Sequence, residues 1–260
     1  MRKACISLLL VAACGEAPPP SSMIQVVDVW GDPVSQAMVL VDGMPSQFMT
    51  DDRGRAKIPI SEPGTYTIRA GHEGFIQSTA KLEVAGINGK LPPFELYPRP
   101  EKDQGFFILS DHSYLEIPEV PIKAIGTELK MLYGLPDVGE ARTSLEDIEV
   151  VFHSDHRTLD ELRKLELQLY KLKYEHSMEF DSAMKKDAKI KMYVPDGQVE
   201  LESIAPFESR KDFLFKPKEK LEKGIYAFAA ELLLSQDDLD QERFDKLPKE
   251  LRVAYPFRVE

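Results

Sequence analysis

The chain has 260 residues, 43% of them hydrophobic and 30% charged, with 33 Lys and Arg against 44 Asp and Glu for a net charge of −11. That length and apolar content are enough for about two packed domains, and the acidic balance works against nucleic acid and anionic lipid headgroups as partners. Two cysteines, Cys5 and Cys14, are too few for a disulfide framework.

The N-terminal stretch reads MRKACISLLLVAACGEAPPPSS. Arg2 and Lys3 precede an apolar run from Ala4 to Ala13. Such a run suits the core of a signal peptide and falls well short of the roughly 20 residues a spanning helix needs. Its end, Val11-Ala12-Ala13-Cys14, resembles the lipobox of bacterial lipoproteins. That resemblance implies cleavage before Cys14, a diacylglyceryl group on the Cys14 sulfur and, usually, an acylated amine. Residues 1–13 are thus expected to be a leader, and 14–22 a lipidated cysteine with a Pro/Ser tether. Cleavage would remove Cys5, so the mature chain could form no intrachain disulfide and would have no thiol but its anchor. It would also remove Arg2, Lys3 and no acid, which gives −13. Two or more acyl chains hold stably to a membrane. The expected location is the extracytoplasmic membrane surface. Gly15 stands where some bacteria use Asp for inner-membrane retention, so the outer membrane is favoured where there are two.

From Met23 to Arg99 short apolar runs alternate with turn residues: IQVVDV, AMVLVD, RAKIPI, TYTIRA, AKLEVA and PFELYP. Their length, β-branched content and spacing predict a small antiparallel sandwich. Asp32-Pro33, Asp51-Asp52-Arg53-Gly54, Pro63-Gly64 and Asn88-Gly89 supply its turns. Val26, Asp28, Gly31, Pro33, Val34, Ala37 and Val39 fall in the pattern V-x-D-x-x-G-x-P-V-x-x-A-x-V. Thr50, Asp51 and Gly54 follow as T-D-x-x-G, then Gly64, Tyr66 and Ile68 as G-x-Y-x-I, then Gly74-Phe75. In this series the segment resembles the carboxypeptidase regulatory-like domain, a transthyretin-like β-sandwich. Gln36 departs from it where glycine is common. The resemblance implies a scaffold or binding module without catalytic residues. Trp30, the single tryptophan, lies at a loop, where it would either cap the edge of the core or stack on a sugar ring.

Pro98-Arg99-Pro100 marks a hinge expected to carry few contacts, and residues 100–260 are expected to form a second β-rich sandwich. Its strand-like runs are GFFIL, SYLEIP, EDIEVVF, AKIKMYV, QVELESI, DFLFKP, GIYAFAAELLL and LRVAYPFRV. Asp196-Gly197 reads as a hairpin turn between two of them. In TLDELRKLELQLYKLKYEH the leucines fit a helical face, yet Leu165, Leu167 and Leu169 alternate as a strand would. A short turn or helix at 158–163 followed by a strand is the favoured reading, and a longer helix the alternative.

No constellation carries recognisable chemistry. In FHSDH, His153, Asp155 and His156 resemble the tail of a metallo-β-lactamase metal motif, but Val151 replaces the first histidine. Two histidines do not make a zinc site, so a solvated turn with a dispensable pair is expected. Ile76 takes the place of the second histidine of a zincin motif begun by His72-Glu73. No G-x-S-x-G, Walker loop or dinucleotide glycine cluster occurs. Asp237, Asp238, Asp240 and Glu242 lack the spacing of a calcium loop. Neither catalytic residues nor a cofactor or metal is expected. The expected function is non-catalytic binding or assembly in the cell envelope, with envelope proteins or glycans as partners. An envelope hydrolase with a site in the C-terminal domain, or a carbohydrate-binding module that uses Trp30, are the alternatives.

Overall fold

In a computed structural model the described residues are 22–60, 62–84, 91–127, 130–145, 147–154, 167–181, 186–206, 212–230 and 241–260. The first unit contains β1 (Ser22–Asp28), β2 (Met38–Val41), β3 (Gln47–Met49), β4 (Arg55–Ile58), β5 (Gly64–Gly71), β6 (Phe75–Ile76), β7 (Ser78–Val84) and β8 (Phe94–Pro98). Two sheets form, in the orders β4-β1-β8-β6 and β3-β2-β5-β7. Alternation along the strands turns Ile24, Val26, Val39, Ile58, Ile68 and Leu96 inward, where all are fully buried in one core. The ladders are antiparallel except β1–β8, which is parallel.

The turn residues hold this unit in register. Thr50 Oγ1 donates to Val34 O at 2.7 Å and accepts from Ala37 N at 2.8 Å, satisfying two buried backbone groups beside β2. Asp51 Oδ1 accepts from the N–H groups of Arg53 and Arg55, each at 2.9 Å. Gly54 closes that turn at φ 68°, and a Cβ there would sit 2.3 Å from Val26 O, so no side chain fits. Gln36 adopts φ 56°, the left-handed region that glycine enters with less strain.

The second unit contains β9 (Gln104–Ser110), β10 (Ser113–Ile117), β11 (Val120–Pro121), β12 (Lys123–Thr127), β13 (Lys130–Gly134), β14 (Arg142–Thr143) and β15 (Val150–Ser154). It continues with β16 (Leu167–Asp181), β17 (Lys186–Val199), β18 (Leu201–Pro206), β19 (Asp212–Pro217), β20 (Gly224–Ala230), helix α1 (Gln241–Lys246) and β21 (Val253–Val259). One sheet runs β10-β9-β15-β19-β18 and the other β11-β21-β20-β16-β17, with β14 added in parallel beside β21. Phe106, Phe215, Phe228 and Phe257 fill the space between them, Phe106 and Phe228 stacking at 4.7 Å. A further core on the far side of the second sheet gathers Tyr133, Leu135, Tyr170, Ala227 and Ala254, with Phe244 of α1 against Tyr133 at 5.1 Å.

The all-β sandwich architecture expected from the sequence is present. Two expectations change in detail, at Asp196-Gly197 and at His153. Asp196-Gly197 is no hairpin turn, because β17 runs through it. Leu172 pairs Pro195 and Tyr170 pairs Gln198, so β17 holds one extra residue there and Gly197 sits at φ 128°. This is a β-bulge. The chain from Leu167 is a strand, as the favoured reading has it, while 158–166 lies outside the described residues. His153 is not on a solvated turn. β15 extends past Phe152 to Ser154 as a central strand covered on both faces, and His153 is 2% exposed. It faces Asp212 directly across the β15–β19 ladder, and Nδ1 hydrogen-bonds Asp212 Oδ1. Asp155 and His156 lie outside the described residues.

Candidate functional site

The two units meet through the outer faces of two sheets. In the first unit, alternation turns Val27, Ile76, Glu95 and Tyr97 away from the core. In the second it does the same for Phe107, Tyr114, Val151 and Lys216. Val27, Ile76, Phe107 and Val151 are all buried, although none belongs to any of the three cores. Hydrogen bonds join the two faces. Trp30 Nε1 donates to Ser110 O at 2.6 Å, Tyr97 OH to Glu149 Oε2 at 2.8 Å and Tyr114 OH to Pro98 O at 2.9 Å. The Trp30 ring lies 5.8 Å from His112 and 6.1 Å, edge on, from Tyr114. The hinge expected to carry few contacts is therefore flanked by a seam.

Beside the seam an open cleft of about 500 Å³ is lined by residues of both units. Trp30, Glu95 and Tyr97 come from the first, and Leu145, Asp147, Glu149 and Lys216 from the second. A bend after β1 sets the Trp30 loop. Asp28 Oδ1 accepts from the N–H groups of Trp30 and Asp32, each at 2.9 Å. Glu149 has both oxygens engaged, Oε2 by Tyr97 and Oε1 by Lys216 Nζ at 3.2 Å. Burial, reinforced by Glu149, pushes the Tyr97 phenol far above its ordinary range. Burial, with the charges of Asp212 and Glu149, does the same to Tyr114. Both therefore act as proton donors in hydrogen bonds at any physiological pH. The cleft thus has a fixed aromatic and hydrogen-bonded wall and an acidic rim.

Trp30 is therefore a half-buried pin of the seam and a wall of the cleft. Cys14 lies outside the described residues. His72 packs edge-on against Phe75 at 5.4 Å, and Glu242 pairs with Lys246 on α1 at 2.5 Å. Among the described residues no three His, Cys, Asp or Glu side chains are placed to hold a metal ion. Tyr97, Glu149 and Lys216 were missed from the sequence. Their only signal there is position, since each occupies an outward-facing place next to or within a strand, normally a solvated one.

No protein-family model matches the chain, and no curated protein does. Among solved structures it is similar to the Bacillus anthracis TIE protein, at 14% identity with a TM-score of 0.26, over 93% of this chain and 31% of that one. It is also similar to a "putative carbohydrate binding protein" from Bacteroides uniformis, at 11% identity and a TM-score of 0.21, over 82% of this chain and 88% of that one. The chain spans about a third of the length of the first. Likeness at this level carries no functional argument.

Proposed function

We propose that the chain is a non-catalytic binding protein of the bacterial cell envelope, anchored through lipid on Cys14, with its ligand site in the cleft between the two sandwich units. The observation that carries the reading is the cleft itself, whose wall is fixed by Trp30 and by the Tyr97–Glu149–Lys216 network. Concave sites at domain seams with an apolar wall and a few polar groups are the usual place for ligands. The lipobox residues Val11 to Cys14 and the short apolar run before them support the anchor.

Labelling cells with an alkyne palmitate analogue, followed by fractionation, tests the anchor. The wild type is expected to carry the label and to sediment with membranes. Cys14→Ala is expected to lose both, and a membrane-bound variant would refute the anchor. A second reading, carbohydrate binding, is favoured by the two aromatic side chains in the cleft. Glycan pulldown with the wild type, abolished by Asp147→Ala with the fold intact, is its expected signature.

A further inference from the structure

We infer that the cleft takes a small organic cation, an alkyl-ammonium or guanidinium group, an inference that rests on the binding reading above. The aromatic donors of the cleft are already committed. The Trp30 N–H goes to Ser110 O and the Tyr97 O–H to Glu149. Lys216, the one cationic side chain among the described residues that line the cleft, is bonded to Glu149, whose charge it offsets. Beyond the Ser110 hydroxyl and the remaining N–H groups of Lys216, the polar side chains left are carboxylates. Glu95 and Asp147 are exposed and make no hydrogen bond or ion pair with any described residue. A neutral sugar hydroxyl carries no charge to set against these two carboxylates. Ammonium and guanidinium groups only donate, and they match.

The rest of the lining agrees. Aromatic faces such as those of Trp30 and Tyr97 attract cations. Val29, Leu109 and Leu145, the last 41% exposed, offer apolar surface for an alkyl stem. The chain's net charge of −11 raises the local concentration of cations. A second groove, whose lining includes Lys171, Lys218 and Tyr226, shows no such bias, because Lys171 pairs with Glu222 and Lys218 with Glu200, each at 2.8 Å.

Trp30 is the only tryptophan, so its emission reports on the cleft alone. The test titrates the full chain with agmatine, N-acetyl-lysine methylamide and maltose at low and physiological salt, with calorimetry alongside. Saturable changes with the two cations, weaker at higher salt, are expected. Glu95→Gln and Asp147→Asn should each weaken cation binding about tenfold. Both positions are exposed, so melting temperature should hold. The control Glu219→Gln, in that second groove, should bind as the wild type does. Unchanged binding in the cleft variants, or an equal loss in the control, would overturn the cation inference. Saturation by maltose without agmatine would overturn it too, yet preserve the cleft as a binding site. No response to any probe would defeat both.

Discussion

His153 and Asp212 give the sharpest test of the second unit. Each side chain is 3% exposed, and they face one another across the central β15–β19 ladder. Replacing His153 by Leu removes the imidazole and keeps the Asp212 carboxylate in a low-dielectric site. Breaking such a buried pair costs about 3–5 kcal/mol. For a chain of this size each kcal/mol moves the melting temperature by about 2–4 °C, so a drop of at least about 6 °C is expected. Asp212→Leu alone should behave similarly. The double substitution to Leu at both positions replaces the pair with packed apolar surface and should recover most of the loss, ending within about 1.5 kcal/mol of the wild type. Urea unfolding of the full chain, followed by circular dichroism, measures all three. A solvated turn would instead put the loss of His153 near 0.5 kcal/mol. Single variants within about 1 kcal/mol of the wild type, or single losses that simply add in the double, would refute the buried pair.

Three further outcomes are expected. Tyr97 and Tyr114 hold their protons in the folded protein above the ordinary tyrosine value of 10.0, while the unfolded chain ionises there. Their contribution to stability is therefore whole below pH 10 and declines as pH rises beyond it, and tyrosinate absorbance should show at least two of the nine tyrosines ionising only on unfolding. A full tyrosinate titration before any loss of structure would contradict this. Residues 22–99 alone should give a β-rich circular dichroism spectrum but expose Val27, Ile76 and Tyr97, and so bind hydrophobic dye and self-associate. A monodisperse, dye-silent fragment would remove the apolar seam. At Gly134 a Cβ would lie 2.5 Å from Tyr193 O, next to the reciprocal 2.8 Å bonds between Leu135 and Tyr193. Gly134→Ala should cost about 1–3 kcal/mol, read from the urea midpoint, and a neutral result would show that the backbone there yields freely.

Strands with strong alternation were legible in the sequence. IQVVDV, AMVLVD, TYTIRA and DFLFKP each became a strand because one face buries β-branched or aromatic side chains. The chain between Val120 and Thr143 yielded no expectation, because its strands are short and their pairing with β21 or with each other is set by tertiary packing. Asp196-Gly197 misled because a turn dipeptide and a bulge both call for a positive φ, and only the partner strand decides between them. For the cleft, Trp30 stood out by being unique. Glu149 and Lys216 did not, since an outward polar residue in a strand reads as solvated until another sheet covers it. His153 failed for the same reason.

The parallel β1–β8 ladder governs how the first unit bears load. The chain enters β1 at Ser22 and leaves β8 at Pro98 toward the second unit, and Val26, Val27 and Asp28 lie beside Phe94, Glu95 and Leu96. Tension between the N-terminal side and the second unit pulls the two strands in opposite senses along their common axis. Every bond of the ladder is then sheared together, whereas an antiparallel hairpin pulled at its open end unzips bond by bond. A protein tugged away from a surface through its N-terminus would therefore resist at β1 first, and extension by optical tweezers should show a single abrupt rupture for this unit, with no gradual peeling.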